Sequence, residues 1–307
     1  MRQATNATNI QRRPMRSTFY ATNTIYDISS QASLPTHYFK YLWGILKKFA
    51  PNRKSYVSSN PKISVITVVF NNAKDIGYTL ESIASQSYEN VEHIVIDGKS
   101  TDGTLEILTK HKEQIDVLVS EKDRGIYDAM NKGLKRATGE YVLFLNSGDA
   151  FYDENTLSDI FSNSEGADIY YGKTKLIDEN RQIIGDRRHK TPKQFTWKSF
   201  GRGMNICHQA IYIKRSIAPQ YDLQYKISAD IDWVIRSAKK AKTCVNTHIY
   251  TTRYLVGGLS KQRHKESLKE RYAILKKHYG FLPNLWNHGM ITLRYFFQLI
   301  TKGKPYD

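Results

Sequence analysis

The octapeptide ISVITVVF, Ile63 to Phe70, is a nearly continuous β-branched run that ends in Asn71-Asn72. A strand covered on one face alternates apolar and polar residues; an unbroken apolar run marks a strand covered on both, as in parallel sheets. Working outward, Asp75 to Ser87 places Ile76, Leu80, Ile83 and Ala84 on one helical face, and EHIVI (Glu92 to Ile96) reads as a second strand ending at Asp97. Thr101-Asp102-Gly103-Thr104 opens a further helix with Thr101 or Asp102 as its cap. Asp116 to Ser120 is a short strand, Tyr127 to Ala137 a helix and YVLFL (Tyr141 to Leu145) a fourth strand. This alternation predicts an α/β fold with an open, twisted, mostly parallel sheet flanked by helices. Ligands of such sheets bind beyond the carboxyl ends of the strands.

The 307 residues suffice for one large domain or two small ones, and their composition is globular. The longest apolar runs fall short of the roughly 18 residues of a membrane span. Two cysteines without a spacing framework, Cys207 and Cys244, are expected to be free thiols in a reducing compartment. Arg2, Arg12 and Arg13 precede no apolar core of a signal peptide, so export is not expected. The net charge of +17 is concentrated at the ends. Residues 1–60 carry nine Lys or Arg against one acid, and residues 261–307 ten against three, leaving the middle nearly neutral. A nucleic-acid binder usually carries its basic stripe on the folded domain, so no nucleic-acid partner is expected. Basic ends mixed with aromatic residues suit an anionic membrane surface or a merely solubilising exterior.

Residues 1–61 read as a basic flexible arm, an amphipathic helix over His37 to Phe49 and a proline-bounded linker. Residues 62–260 form the expected catalytic domain. Residues 261–307 form a basic helical extension, with helices over Ser267 to Tyr279 and Pro283 to Gln298.

Three strands end in polar residues: Asn71-Asn72, Asp97-Gly98-Lys99-Ser100 and Asn146-Ser147-Gly148-Asp149. One sheet edge collects them. Carboxylates there can meet a ribose or base N–H, or ligate a hard cation that neutralises phosphate, which suggests a nucleotide diphosphate. Each of these residues, taken singly, also suits a turn or a helix cap. Neither G-x-G-x-x-G nor G-x-x-x-x-G-K-[ST] follows the first strand, so phosphate charge is expected to fall to a divalent metal, Mn²⁺ or Mg²⁺, with Asp149 as the best ligand candidate. No zinc-type His or Cys spacing is present.

VITVVFN (Val65 to Asn71), VIDGKSTDGT (Val95 to Thr104), DRGIYDAMNKGLKRATG (Asp123 to Gly139) and YVLFLNSGD (Tyr141 to Asp149) together resemble the family 2 glycosyltransferases, inverting nucleotide-sugar enzymes of the GT-A fold. The resemblance covers about residues 62–260. It implies that Asn71 and Asp97 line the nucleotide pocket, Asp97 meeting the base, and that Asp128, Asn131 and Lys132 lie near the nucleotide or diphosphate. It also implies that Asp230, in ISADIDWVIR (Ile227 to Arg236), is the general base that takes the acceptor's proton. Three positions depart from the family pattern: Gly98, Gly148 and Ala229 stand where acids are usual, so in the metal motif Asn146 is left to offer a carbonyl oxygen to the metal beside Asp149. His208, in CHQA (Cys207 to Ala210), is a candidate for diphosphate or acceptor, or a satisfied structural histidine. Asp232 caps its helix or joins the acceptor site; Trp233 stacks on a sugar or sits in the core. Arg263, His264 and Lys265 are candidates to reach a diphosphate, in the donor or in a lipid-linked acceptor.

The implied enzyme is cytoplasmic, peripheral on the inner face of a membrane, and passes a sugar from a nucleotide-diphosphate donor to a saccharide or lipid-linked acceptor in cell-surface polysaccharide assembly. Two rival readings are a sugar nucleotidyltransferase, which needs a Gly-rich basic loop absent after Phe70, and a non-catalytic polysaccharide- or nucleic-acid-binding protein.

Overall fold

Every residue of β1 (Ile63–Val69) is buried, as the unbroken β-branched run requires. Its side chains alternate between two cores. Ile66 and Val68 meet Tyr127, Met130 and Leu134 on one face of the sheet, while Ile63 and Val65 join Ile83, Tyr141 and Leu143 on the other. The computed structural model describes residues 60–162, 164–202, 204–258 and 263–302. These fall in one compact unit, whereas the arm, the helix expected over 37–49 and nearly all of the linker lie outside the described residues.

β1 pairs in parallel with β2 (Val91–Asp97) and β4 (Tyr141–Phe144), and β3 (Val117–Ser120) adds in parallel to β2. The crossovers are α1 (Ala73–Ala84), α2 (Thr104–Lys110) and α3 (Ile126–Arg136). The second half contributes β5 (Ala150–Phe151), α4 (Thr156–Phe161), β6 (Ile169–Ile177), β7 (Ile183–Asp186), β8 (Ile211–Lys214), α5 (Ala229–Lys240) and β9 (Cys244–Leu255). The sheet runs β3-β2-β1-β4-β8-β6-β9-β5, with β7 on β6. β8, β7 and β5 run against the other strands. The sheet is therefore mostly parallel and flanked by helices, as expected. α6 (His264–Tyr279) and α7 (Phe281–Lys302) follow, and Ile274 and Leu275 of α6 enter the same core as α3 and α5.

Asp102, expected to cap its own helix, does more. Its carboxylate accepts the backbone N–H of Thr104 at 3.1 Å and that of Ala73 at 3.0 Å, so one side chain serves the N-termini of α2 and α1. This is why α1 begins at Ala73, two residues before the expected start, and why α2 begins at Thr104 behind Gly103.

Asp232 and Trp233 are both structural in this geometry. Trp233 is buried, stacks on Tyr221 at 5.0 Å, meets the edge of Phe144 at 5.4 Å, and donates its indole N–H to the Pro219 carbonyl. Asp232 is fully buried and receives Arg236 Nε at 2.5 Å, His278 Nε2 at 2.8 Å and Lys277 Nζ at 3.2 Å, which ties α5 to α6. Although burial alone would raise it, these donors and charges hold its carboxyl down at about 2. A folded value below the unfolded one of about 3.9 contributes stability that is present above pH 4 and lost as pH falls towards 2. Asp232→Asn is expected to cost about 1–3 kcal/mol at pH 7, since it removes a buried charged acceptor from the Arg236, Lys277 and His278 donors. It should also flatten the acid limb of stability against pH, and urea titrations of both proteins between pH 2 and 7 check both effects.

Candidate active site

The loops after β1, β2 and β4 are knitted to one another. Asn71 takes a left-handed backbone conformation (φ 46°), donates its N–H to Ser100 Oγ at 2.8 Å, and accepts the Thr101 N–H on its side-chain oxygen at 2.8 Å. Asn and Asp are among the few side-chain-bearing residues that adopt this conformation readily. Ser100 and Ser120 each donate a hydroxyl to Asp97 at 2.5 Å, leaving that carboxylate buried beneath the loop. Asn72 Nδ2 reaches Ser147 Oγ at 3.0 Å and links the first loop to the turn after β4.

That turn, Asn146-Ser147-Gly148-Asp149, is closed by the Asp149 N–H on the Asn146 carbonyl at 3.0 Å. Gly148 occupies its third position with φ 97°, as in type II turns, and a Cβ there would stand 2.9 Å from Leu255 Cδ2. The acid usual at this position would be strained here. Thr79 of α1 fixes the turn from below: its hydroxyl accepts the Gly148 N–H at 2.9 Å and donates to the Asp149 carbonyl at 2.8 Å. Gly98 has a comparable reason. A Cβ there would lie 2.5 Å from Asp123 Oδ2 and 3.2 Å from the exposed ring of Phe70, so Asp123 brings a carboxylate to the place left by the missing acid.

Asp149 is buried. Its oxygens accept the Gln209 side-chain N–H at 2.9 Å and the Leu255 N–H at 3.0 Å, and burial pushes its carboxyl up to about 7 despite the field of Arg181. Asn146 Oδ1 is buried with no hydrogen-bond partner. A hard divalent cation takes oxygen ligands and keeps several sites for water and phosphate. The Asp149 carboxylate and the unpartnered Asn146 amide oxygen, in the same turn, are oxygen donors of the kind such an ion takes. Among the described residues no group of three or more His, Cys, Asp or Glu gathers for a metal, so the remaining ligands would have to come from elsewhere.

An open cleft of about 780 Å³ lies over this edge, within the range of small-ligand sites. Asn71, Asn146, Asp149, His208 and Asp230 all line it. Asp230 stands in the first turn of α5, half-buried, with the Tyr127 hydroxyl 3.3 Å from Oδ1. The helix N-terminus favours its anion, yet burial outweighs this and raises its carboxyl above the ordinary range, the field of Arg271 opposing. His208 is buried, stacks on Phe144 at 5.3 Å and shares a 2.6 Å hydrogen bond with the Tyr221 hydroxyl. Desolvation pushes its imidazole down to about 3, so it is neutral at physiological pH.

Asp97, Asp128, Asn131, Lys132, Asp232 and Trp233 do not line the cleft. Asp128 accepts the N–H and guanidinium of Arg124, and Lys132 reaches Glu121 at 3.1 Å and the Lys122 carbonyl at 2.8 Å. Asn131 is buried in a reciprocal pair with the Tyr221 backbone, at 3.0 and 2.7 Å. In their place the structure brings Gln209, Tyr127, Arg187 and Arg271, none of which the sequence patterns single out as site residues. Only Gln209 had a signal, its place beside His208. Arg187 follows β7, and Arg271 is carried by α6. Among the described residues neither guanidinium has an ion-pair partner within 4 Å, and burial together with the Arg187 charge lowers Arg271.

Comparison with known proteins agrees with this geometry. The profile of Glycosyl transferase family 2 matches residues 64–218. A PGL/p-HBAD biosynthesis glycosyltransferase of Mycobacterium tuberculosis is 32% identical over 64% of this chain and 74% of its own length. A cholesterol galactosyltransferase of Borreliella burgdorferi is 26% identical over 76% of this chain and 74% of its own. Among solved structures, S. aureus TarS (residues 1–349) in complex with UDP superposes with a TM-score of 0.55 at 19% identity, over 78% of this chain and 72% of that one. The Pyrobaculum calidifontis mannosyltransferase PcManGT, in complex with GDP-Man and Mn²⁺, gives 0.52 at 17% identity over 86% and 83%. The fold is that of the GT-A glycosyltransferases, and the chain belongs to glycosyl transferase family 2.

Proposed function

We propose that this glycosyltransferase moves a sugar, with inversion, from a nucleotide-diphosphate donor to a hydroxyl of a saccharide or lipid-linked acceptor in cell-surface polysaccharide synthesis. The observation that carries the reading is the cleft itself. Asp230 faces it from one wall, the Asn146–Asp149 turn from another, and Arg187 and Arg271 stand in it with no ion pair within 4 Å among the described residues, only the field of Asp230 reaching Arg271. Two like charges in a partly buried cleft repel each other, and a diphosphate relieves that cost with charge-assisted hydrogen bonds.

Asp230 takes the acceptor's proton as that oxygen attacks the anomeric carbon, and the nucleoside diphosphate leaves from the opposite face, inverting the centre. Its raised pKa makes it a stronger base than an ordinary carboxylate. Arg187 and Arg271 hold the diphosphate. Asn71 and Asp97 shape the nucleotide side, and an exposed Phe70 offers a ring for the base. Asp149 and Asn146 would hold a divalent cation, which would supply positive charge to the leaving phosphate. Neutral, desolvated His208 orders the floor of the cleft through Tyr221 and Phe144. The similarity to a cholesterol galactosyltransferase supports an acceptor of lipid character. A lipid-linked acceptor implies cytoplasmic work at the inner face of a membrane, with the basic ends on anionic headgroups.

The first experiment is a panel of nucleotide sugars tested for thermal stabilisation with and without Mn²⁺ or Mg²⁺; one donor is expected to shift the transition, and more strongly with metal. Absence of a shift with every donor would count against the transferase cleft. Asp230→Asn is expected to leave that shift intact while lowering kcat by about 10²–10⁴-fold, the usual worth of a general base. The wild-type kcat should rise with pH through an acid limb lying above the ordinary aspartate value of about 3.9. Unimpaired turnover by Asp230→Asn would remove it as the base. Arg187→Ala and Arg271→Ala should each weaken donor binding by about tenfold or more, read by calorimetry, with a smaller loss for the free nucleoside.

A further inference from the structure

α7 is docked the wrong way round for a helix whose other side faces water. The polar side chains described on it, those of Asn284, Asn287 and His288, point into the protein. Asn284 is buried and donates its amide to the Tyr272 carbonyl at 3.2 Å, His288 packs against the Tyr272 ring at 5.0 Å, and the Asn287 amide lies against Gly201. The large apolar side chains described on it point out: Phe281, Leu282, Leu285, Trp286, Met290 and Leu293 are all exposed, Leu282 by 74% and Trp286 by 70%. A surface helix of a water-soluble protein has the opposite polarity. These six are half of the twelve large apolar side chains exposed among the described residues, gathered on little more than three helical turns. A contiguous apolar patch of this kind marks a surface that something covers.

Charge identifies the cover. α7 contains no Asp or Glu, and residues 263–302 hold eight Lys or Arg against two Glu. Lys276 stands over the ring of Phe281 at 5.6 Å, where the apolar face begins. A second copy of this chain meeting the face through a two-fold axis would bring the same positive charge against itself. An anionic lipid surface complements both features, with Trp and Phe at the level of the headgroups and Lys or Arg beside the phosphates. Among the described residues no helix is long and apolar enough to cross a membrane, so the helix would lie in the plane of the interface.

We infer that α7 is an interfacial helix whose outward face, Phe281 to Leu293, seats the enzyme on an anionic bilayer. The inference deepens the peripheral placement proposed above and rests on it. It also gives that placement a geometry: Ser267 and Arg271 of α6 line the cleft, while the next residue, Tyr272, is the one that receives α7. One helix, about 10–12 Å across, separates the lipid-facing surface from the cleft wall.

The test is sedimentation of the full chain with vesicles of phosphatidylglycerol and phosphatidylcholine, and of phosphatidylcholine alone. Wild type should bind the anionic vesicles. L282E/W286E should partition at least about tenfold more weakly, with its melting temperature and donor-induced thermal shift unchanged, because both side chains project into solvent. The milder L282S/L293S pair guards against a folding defect and should show a weaker loss in the same direction. Equal partitioning of wild type and L282E/W286E would overturn the inference. If binding were instead lost only in K47E/K48E, the peripheral placement would stand on the N-terminal region and the role of α7 would fall. Failure of wild type to bind any vesicle would overturn both, while the donor shift would still report separately on the transferase reading. A dimer that L282E/W286E disperses, without vesicle binding, would assign the face to a second copy and also overturn the inference.

Discussion

Burying the carboxylate of Asp149 is the constraint around which the cleft is organised. A carboxylate taken out of water needs donors, and here they come from places far apart in the sequence: Gln209 before β8 and the backbone of Leu255 at the end of β9. Thr79 of α1 secures the backbone of the same turn, and Gly148 lets the turn close. Four elements thus converge on one residue. Displacing β9 or the segment before β8 would strip the buried carboxyl of a donor, at a cost of about 1–3 kcal/mol, while displacing α1 would free the backbone of the turn that carries it. The same arrangement holds the unpartnered oxygen of Asn146 at the rim, so the interactions that make the turn rigid also orient its free valence.

The electrostatic character of the cleft follows from unequal burial. Asp149 and Asp230 are both raised by desolvation, Arg271 is lowered by it, and His208 is kept neutral. By contrast, the ionised groups engaged in structure, such as Asp232 and Asp128, are held down by donors and cations beside them. Poised groups and satisfied groups therefore separate in space: the first line the cleft and the second fasten helices. This separation is the pattern expected where a protein reserves charge for a ligand.

The parallel half of the sheet was legible because its determinants are local. The β-branched run of β1, the apolar face of α1 and the polar residues after each strand can be read within windows of about ten residues. Asn71, Asn146, Asp149, His208 and Asp230 were reachable from those strand ends and from the family resemblance, and all five meet in the cleft. What pattern reading did not reach was long-range. β9 carries Thr, Asn, His and Arg among its apolar residues because much of it is only half-buried, so its sequence lacks a clean alternation. Arg187 and Arg271 look like ordinary solvated cations, and Arg271 lies beyond the stretch 62–260 expected to hold the chemistry. Asp128, Asn131 and Lys132 sit in a motif that resembles the family's closely, but here they fasten α3 to its neighbours, a role that depends on partners about 90 residues away for Asn131 and only nearby in sequence for the other two. Periodicity shows which face a residue is on; it does not show what waits there.

The placement of α6 has a consequence in thermodynamic reciprocity. Consecutive residues of this helix serve two different surfaces, Arg271 the cleft and Tyr272 the packing of α7. A rigid helix cannot rotate one without the other. Any free energy by which a contact on α7 biases the position of α6 must reappear, with equal magnitude, as a change in the affinity of the cleft for whatever Arg271 holds, and occupancy of the cleft must alter the strength of that outer contact by the same factor. The enzyme's surface and its interior would then be two readings of a single equilibrium.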